Sequence, residues 1–259
     1  MIASRQIAFG RGAAKGISAK DYVQDGLVAM WDGIENAGWG KHDDSATVWK
    51  DLVGDMDVAY DTTLGYLNHH WEHDSLVFDN YRDKGFLGSP NGALKEAIEK
   101  CVLSVEGCFW TNNTGSNNSC VMQVSSGGLF DGLGFCVSSS TRIESNISDA
   151  WASGRATIIF GSSWNFNNKK IAASYVCDGN NGNFAATMDD SKYNAVNALT
   201  PPVAQGQLAT SLRIGSYSWT GGSTRIFLGG IHNIRIYNRA LTAKEIAHNY
   251  EIDKARFGL

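Results

Sequence analysis

Two carboxylates in the sequence have a spacing that suits acid–base chemistry. Glu72 and Asp74 are two residues apart, so they would share one face if both lay on the same β-strand. Two carboxyl groups about 5–5.5 Å apart can hydrolyse a glycosidic bond, one as the nucleophile and the other as the acid/base. Glu35, Glu106, Asp131 and Glu144 have no second acid two or four residues further along the chain.

A group of histidines beside this pair raises the question of a metal site. His69 and His73 are four residues apart, a spacing that brings two ligands together on a helix. The flanking residues instead predict a loop or a strand, and on a strand His69 and His70 point to opposite faces. We therefore expect a solvated or pH-sensitive loop here. Gly-x-Ser-x-Gly and phosphate-binding Gly-x-x-x-x-Gly-Lys motifs are absent.

The composition is that of a globular chain. Of its 259 residues, 43% are hydrophobic and 19% are charged. The net charge is -4 and no basic stripe is evident, which argues against nucleic acid as a partner. No apolar run reaches the roughly 20 residues that a membrane-spanning helix needs, so we expect no membrane insertion. The N-terminal segment also lacks the apolar core of a secretory signal.

The cysteines match no zinc-binding spacing. Their number is odd, and a reduced state in which they act as small buried hydrophobic residues is the simpler expectation. One or two disulfides stay open as an alternative, because the sequence cannot assign the pairs among Cys101, Cys108, Cys120, Cys136 and Cys177.

Period-two alternation of apolar residues predicts many short strands. About a dozen strands indicate an all-β fold, a two-sheet antiparallel jelly-roll sandwich. Thr242 precedes Glu245 by three residues, a capping box that predicts a short C-terminal helix. A second short helix is predicted over residues 93–100, a hairpin between strands 102–110 and 120–124, and a loop over 189–206. Trp49 is expected in the core.

The sequence divides into an arm and one domain. Residues 1–20 are rich in glycine and alanine, carry Arg5, Arg11 and Lys15, and lack periodicity. They are read either as a disordered tail or as an anchor to a larger assembly. Residues 21–259 form the β-sandwich domain.

Several motifs carry a resemblance to a known family. Arg235–Ile246 resembles the closing strand and helix of the laminin-G-like, concanavalin A-like lectin/glucanase superfamily. Gly26–Gly33 with Trp49–Gly54 resembles its opening strand and first loop, and Leu212–Tyr217 its penultimate strand. The motifs occur in the order that the family shows, and together they cover roughly residues 21–259. The resemblance implies the same sandwich fold.

The resemblance also bears on catalysis. Glycanases of this superfamily carry a Glu-x-Asp-x-x-Glu pattern on one strand. Here Glu72 and Asp74 supply the first two acids, but Val77 occupies the third position. The acid/base is therefore missing, and we expect a chain that is not an enzyme.

Related domains bind glycans through loop aromatics and hold one calcium ion through loop carboxylates. Tryptophans in polar or glycine-rich contexts are the candidate ligand contacts, namely Trp39, Trp71, Trp164 and Trp219. Each of them has packing against its own loop as the alternative. The weak candidates for calcium are Asp43, Asp44 and Asp178.

The expected function is recognition or decoration at the surface of a phage particle, in a head or tail fibre. The missing export signal, the basic arm and the resemblance to laminin-G-like prophage proteins of gut bacteria lead to this expectation. The expected partners are other virion proteins, through the arm, and cell-surface glycans; a homo-oligomer is also expected. A bacterial carbohydrate-binding module is the alternative, and a glycoside hydrolase without a complete catalytic motif is the second alternative.

Overall fold

The computed structural model describes residues 16–62, 69–79, 85–112, 119–125, 132–139, 142–148, 155–159, 168–198, 211–218 and 224–259. Within these ranges the chain forms two large antiparallel sheets packed face to face, with a helix at the C-terminal end. The predicted all-β sandwich is thereby confirmed. None of the helices in these ranges is both long and apolar enough to cross a membrane.

The strands and helices follow one another as β1 (Leu27–Asp32), β2 (Val48–Trp49), β3 (Val58–Tyr60), β4 (His69–Glu72), β5 (Ser75–Phe78), β6 (Phe86–Gly88), α1 (Gly92–Lys100), β7 (Val102–Thr111), β8 (Ser119–Ser125), β9 (Gly132–Ser139), β10 (Arg142–Ser148), β11 (Arg155–Ile159), β12 (Lys170–Asp178), β13 (Asn181–Met188), β14 (Ser191–Ala198), β15 (Ser211–Ile214), β16 (Ser216–Ser218), β17 (Thr224–Ile226), β18 (Gly229–Tyr237) and α2 (Ala243–Phe257). A 3₁₀ turn (Ala19–Asp21) precedes β1.

The first sheet is organised around its last strand. Its order is β14-β13-β12-β7-β18-β5-β4. One edge of β18 pairs with β7, while the other pairs with β5 and then with β1. The second sheet has the order β11-β10-β9-β8-β15-β6-β3-β2, and β16 and β17 form a small separate pair.

The core lies between the two sheets. Alternate residues of β7, such as Leu103, Val105 and Phe109, point into it and are fully buried. Phe109 packs edge-on against Phe135 of the second sheet, with ring centroids 5.7 Å apart. Trp49 is also fully buried, as expected from the sequence. The opposite face of β7 carries polar residues, which α2 covers.

Both helices form where the sequence predicts, although α1 begins at Gly92, one residue before the predicted start. Asn91 caps α1, and its Oδ1 accepts a hydrogen bond from Leu94 N at 3.0 Å. In α2 the capping box is complete: Glu245 N donates to Thr242 Oγ1 at 3.3 Å, and Thr242 N donates to Glu245 Oε2 at 2.8 Å.

The cap of α2 gives a first testable prediction. We expect Thr242→Ala to lower the free energy of unfolding by about 1 kcal/mol, because an N–H at the helix start loses its acceptor. Urea unfolding followed by circular dichroism measures this change. Thr242→Ser keeps the hydroxyl and serves as the control. An equal loss in both variants would show that the cap hydroxyl contributes nothing.

Two sequence predictions about the strands are wrong, and for the cysteines the structure shows the open alternative of one disulfide instead of the reduced state. β7 and β8 do not form a hairpin, because β7 pairs with β12 and β18 in the first sheet, and β8 belongs to the second. Residues 191–198, predicted as loop, form β14. Cys120 and Cys136 are joined in a disulfide, since the neighbouring strands β8 and β9 place them directly opposite each other. The remaining cysteines, Cys101, Cys108 and Cys177, are free and buried.

The end of the predicted arm packs against the sandwich. Ser18 caps the 3₁₀ turn, and Ala19 is fully buried in a cluster with Tyr22 and Leu241. His248 of α2 bonds through its Nε2 to the carbonyl oxygen of Asp21 at 2.9 Å. Residues 1–15 of the predicted arm lie outside the described residues.

Candidate functional site

The loop between β1 and β2 carries Trp39, and hydrogen bonds hold the backbone around this residue. Glu35 Oε2 accepts a hydrogen bond from Gly40 N at 2.8 Å, and Lys41 N donates to the carbonyl oxygen of Gly38 at 2.9 Å. Gly38 and Gly40 have φ values of 118° and 66°, which residues with a Cβ atom rarely adopt. The two glycines therefore let the chain turn sharply on both sides of Trp39.

Trp39 itself faces solvent. Its relative exposure is 37%, and among the described residues it is the aromatic member of a small exposed set that otherwise contains Val53 and Val196. The Nζ atom of Lys20 lies 5.3 Å from the centroid of the Trp39 ring, within reach of a cation–π interaction. The sequence candidate Trp39 thus offers an apolar surface next to a positive charge.

The structure places Trp71 in the core and leaves it no ring face for a ligand. Only 7% of the residue is exposed, and Nε1 donates to the carbonyl oxygen of Ala46 at 2.8 Å. Its ring meets Trp49 edge-on at a centroid distance of 5.2 Å. The alternating faces of β4 turn Trp71 inward, which corrects its choice as a ligand contact. Trp164 and Trp219 lie outside the described residues.

The three acids proposed for calcium each bond to groups within their own loop. Asp43 Oδ1 accepts from Ser45 N at 2.8 Å and Ser45 Oγ at 2.6 Å, while Asp44 pairs with His42 Nε2 at 2.8 Å. Asp178 Oδ1 accepts from the backbone N–H groups that follow it in the β12–β13 turn. No group of three potential metal ligands comes together among the described residues. These residues therefore do not fit a calcium ion that needs several oxygens at once.

The histidines of β4 likewise do not belong to a group of three potential metal ligands among the described residues. His69 faces inward, where its ring lies 4.2 Å from that of Tyr60, and His70 lies on the other face, with Nδ1 3.0 Å from Asp79 Oδ2. They take opposite sides of the strand, as the sequence predicts.

Glu72 and Asp74 do not share a strand face. Glu72 ends β4, and Asp74 lies in the turn that leads into β5. Asp74 Oδ1 is 3.5 Å from His232 Nδ1, and Asp74 Oδ2 is 3.8 Å from Lys170 Nζ. Burial alone would raise the pKa of Asp74, but the bond to His232 and the charges of His232 and Lys170 lower it overall. The arrangement differs from the paired carboxylates on one strand that motivated the comparison with glycanases.

A buried charge network beneath α2 was not anticipated from the sequence. Arg235 of β18 donates to both oxygens of Asp253, from Nη1 at 2.7 Å and from Nη2 at 2.8 Å. Its Nε donates to Glu106 Oε2 at 3.2 Å, and its guanidinium lies 4.0 Å from the centroid of the Tyr22 ring. Tyr22 OH also donates to Asp253 Oδ1 at 2.8 Å. The network thus joins the N-terminal segment, the first sheet and α2.

A second pair extends this network. Arg256 Nη2 donates to both oxygens of Asp32 at 2.8 Å. Burial raises the pKa of Asp32 to about 6 against the opposing charge of Arg256, and it raises that of Glu106 to about 7 against that of Arg235. The two carboxyl groups can therefore change charge near neutral pH. Their partners Arg235 and Arg256 lie far along the chain, so the sequence around each acid does not reveal its burial.

Comparison with known proteins gives a likeness of fold. No protein-family model and no curated protein matches the chain. Trypanosoma rangeli sialidase in complex with sialic acid matches with a TM-score of 0.57 and 14% identity, over 88% of this chain and 33% of the sialidase. The binding domain of botulinum neurotoxin DC in complex with SialylT matches with a TM-score of 0.57 and 9% identity, over 90% of this chain and 52% of that one.

These matches correct one prediction. The expectation that the chain is not an enzyme is contradicted, because the sialidases that share its fold are enzymes. The chain spans about a third of the length of those sialidases. At 14% identity the likeness does not establish an activity for this chain either. What it shows is the fold, a β-sandwich that matches about a third of the sialidases and about half of the toxin chain.

Proposed function

We propose that the chain is a glycan-binding domain in which Trp39 stacks on a sugar ring. The observation that carries the proposal is the exposed Trp39 on a hydrogen-bonded loop. An aromatic ring held in place loses little conformational entropy when a ligand binds, and an apolar surface beside polar groups suits the face of a sugar.

Sugars that carry a carboxylate are the first ligands to test. Lys20 places a positive charge next to the Trp39 ring, where it can pair with an acidic sugar. Two of the matching proteins, which are in complex with sialic acid and with SialylT, support the same choice. We therefore propose sialylated cell-surface glycans as the ligand class.

The test is binding to an array of sialylated glycans and their desialylated counterparts, followed by titration of the best ligand. We expect Trp39→Ala to weaken binding by about 2 kcal/mol, which is about thirtyfold in Kd, as for a central tryptophan of an interface. Val53→Ala removes an exposed apolar side chain elsewhere and should leave Kd unchanged. The proposal fails if no glycan binds, or if Trp39→Ala binds as the unmodified protein does.

We further propose that the protein belongs to the surface of a phage particle, as part of a homo-oligomeric head or tail fibre, with its first residues docking to other virion proteins. Arg5, Arg11 and Lys15 support a docking role for that segment. Mass spectrometry of purified particles tests this with a chain that lacks residues 1–15. This deletion spares Ala19 and Tyr22, which pack against the sandwich. If the full chain is absent from particles, a bacterial carbohydrate-binding module becomes the better assignment.

A further inference from the structure

A narrow cleft lies between α2 and the outer face of β12 and β13. The strands contribute Ser174, Ala185 and Thr187, and the helix contributes Tyr250. The buried network of Arg235, Asp253 and Glu106 forms its inner end. The cleft lies on the far side of the sheet from the core, and its lining does not include Trp39.

One atom at the inner end of this cleft lacks a partner. Glu106 accepts hydrogen bonds from Arg235 Nε and from Asn249 Nδ2, and both end on Oε2. Among the described residues nothing donates to Glu106 Oε1, although only 4% of the side chain is exposed. Glu106 lines the cleft, so a ligand that brings a hydrogen-bond donor can use the free acceptor capacity of this oxygen.

The charges around this oxygen favour a cation. Glu106 and Asp253 share a single guanidinium, that of Arg235, so the inner end carries one more negative than positive charge when both acids are ionised. Lys254 Nζ and Asp190 Oδ1 form an exposed ion pair at 2.9 Å, so their two charges cancel each other. A ligand with one positive charge would balance the site.

The size of the cleft limits the ligand to a small group. Its volume is about 50 Å³. That is about a third of the roughly 150 Å³ cavity that holds a benzene ring, so a sugar ring does not fit inside. Ser174 and Thr187 add hydroxyl oxygens, while Ala172, Ala185 and Ile246 give the cleft apolar sides.

We propose that this cleft binds a primary ammonium group on an unbranched aliphatic stem. The ammonium donates to Glu106 Oε1 and to the hydroxyl oxygens of Ser174 and Thr187, and the stem leaves along Ala185 and Ile246. This site is separate from the glycan surface at Trp39, so either proposal can fail without the other.

The experiment is an NMR titration of the full-length protein with ethylammonium chloride at pH 8, where Glu106 with its pKa of about 7 is ionised. We expect saturable shifts of the backbone amide signals of Ser174 and Thr187. Ala185→Leu fills the cleft without touching the buried charges and should abolish the shifts. Asn183→Leu changes the same face of β13 outside the cleft and should retain them.

Three outcomes would overturn the proposal. The first is the absence of saturable shifts, and the second is equal binding by the Ala185→Leu variant. The third is an equal response to potassium chloride or tetramethylammonium chloride, which would indicate a general cation or salt effect. Glu106→Gln removes the charge at similar shape and should also abolish binding; Ala185→Leu remains decisive if that variant does not fold.

Discussion

Replacing Asp253 with alanine is expected to lower the free energy of unfolding by about 3–5 kcal/mol, because it removes the carboxylate that neutralises a buried guanidinium. Arg235 loses both of its bonds to Asp253 and keeps the 3.2 Å hydrogen bond to Glu106 and its contact with the Tyr22 ring. Tyr22 OH also loses its acceptor, and Asn233 Nδ2 loses one of its two acceptors. Urea unfolding followed by tryptophan fluorescence measures the loss.

Asp190→Ala is the matched control for this prediction. Asp190 also pairs with a basic residue, Lys254 of α2, but at an exposed position. Solvent screens exposed pairs, so the control should change stability little. If the Asp253→Ala variant does not fold, Tyr22→Phe removes the hydroxyl that bonds to Asp253 and Asn233 and should cost about 1–2 kcal/mol. Equal stability of the Asp253→Ala and Asp190→Ala variants would contradict the role assigned to the network.

The second large effect concerns pH. Burial raises the pKa of Glu106 from 4.5 to about 7, so the folded chain keeps a proton that the unfolded chain releases. Between these pH values the folded state binds more protons, and its stability therefore falls as the pH rises. A shift of this size corresponds to a loss of at most about 3 kcal/mol, which is complete above pH 7.

Comparison with Glu106→Gln isolates this contribution. We expect the unmodified protein to lose stability relative to the variant by up to about 3 kcal/mol from pH 4.5 to pH 8, as measured by urea unfolding at each pH. Asp32, with its pKa of about 6, titrates in both proteins, so its contribution cancels in the difference. A difference that stays constant over this range would show that Glu106 is not protonated in the folded state.

The sequence is informative where a feature depends on neighbouring residues. The capping box at Thr242 and Glu245 and the alternation in β18 are local patterns, and the structure contains both. β14 escaped prediction because its inward side offers only Tyr193 and Ala195, so the hydrophobic alternation that marks a half-buried strand is weak.

In the candidate site, too, local features can be predicted from the sequence, whereas features that depend on distant contacts cannot. Trp39 and Trp71 both stand in polar surroundings in the sequence, but the inward side of β4 buries Trp71 while the loop exposes Trp39. Glu106 and Arg235 are 129 residues apart and Asp253 is a further 18. Their burial depends on the pairing of β7 with β18 and on the docking of α2. Because a single sequence does not show these contacts, all three residues look like ordinary surface charges in it.

The position of β18 also has a consequence for synthesis on the ribosome. This strand begins at Gly229, yet it completes the hydrogen bonding of β1, β5 and β7, which emerge long before it. Until the last part of the chain leaves the exit tunnel, those strands have open edges that can pair with other chains. Nascent chains interrupted before residue 229 are therefore the species most prone to aggregate, and co-translational chaperones would act on this interval.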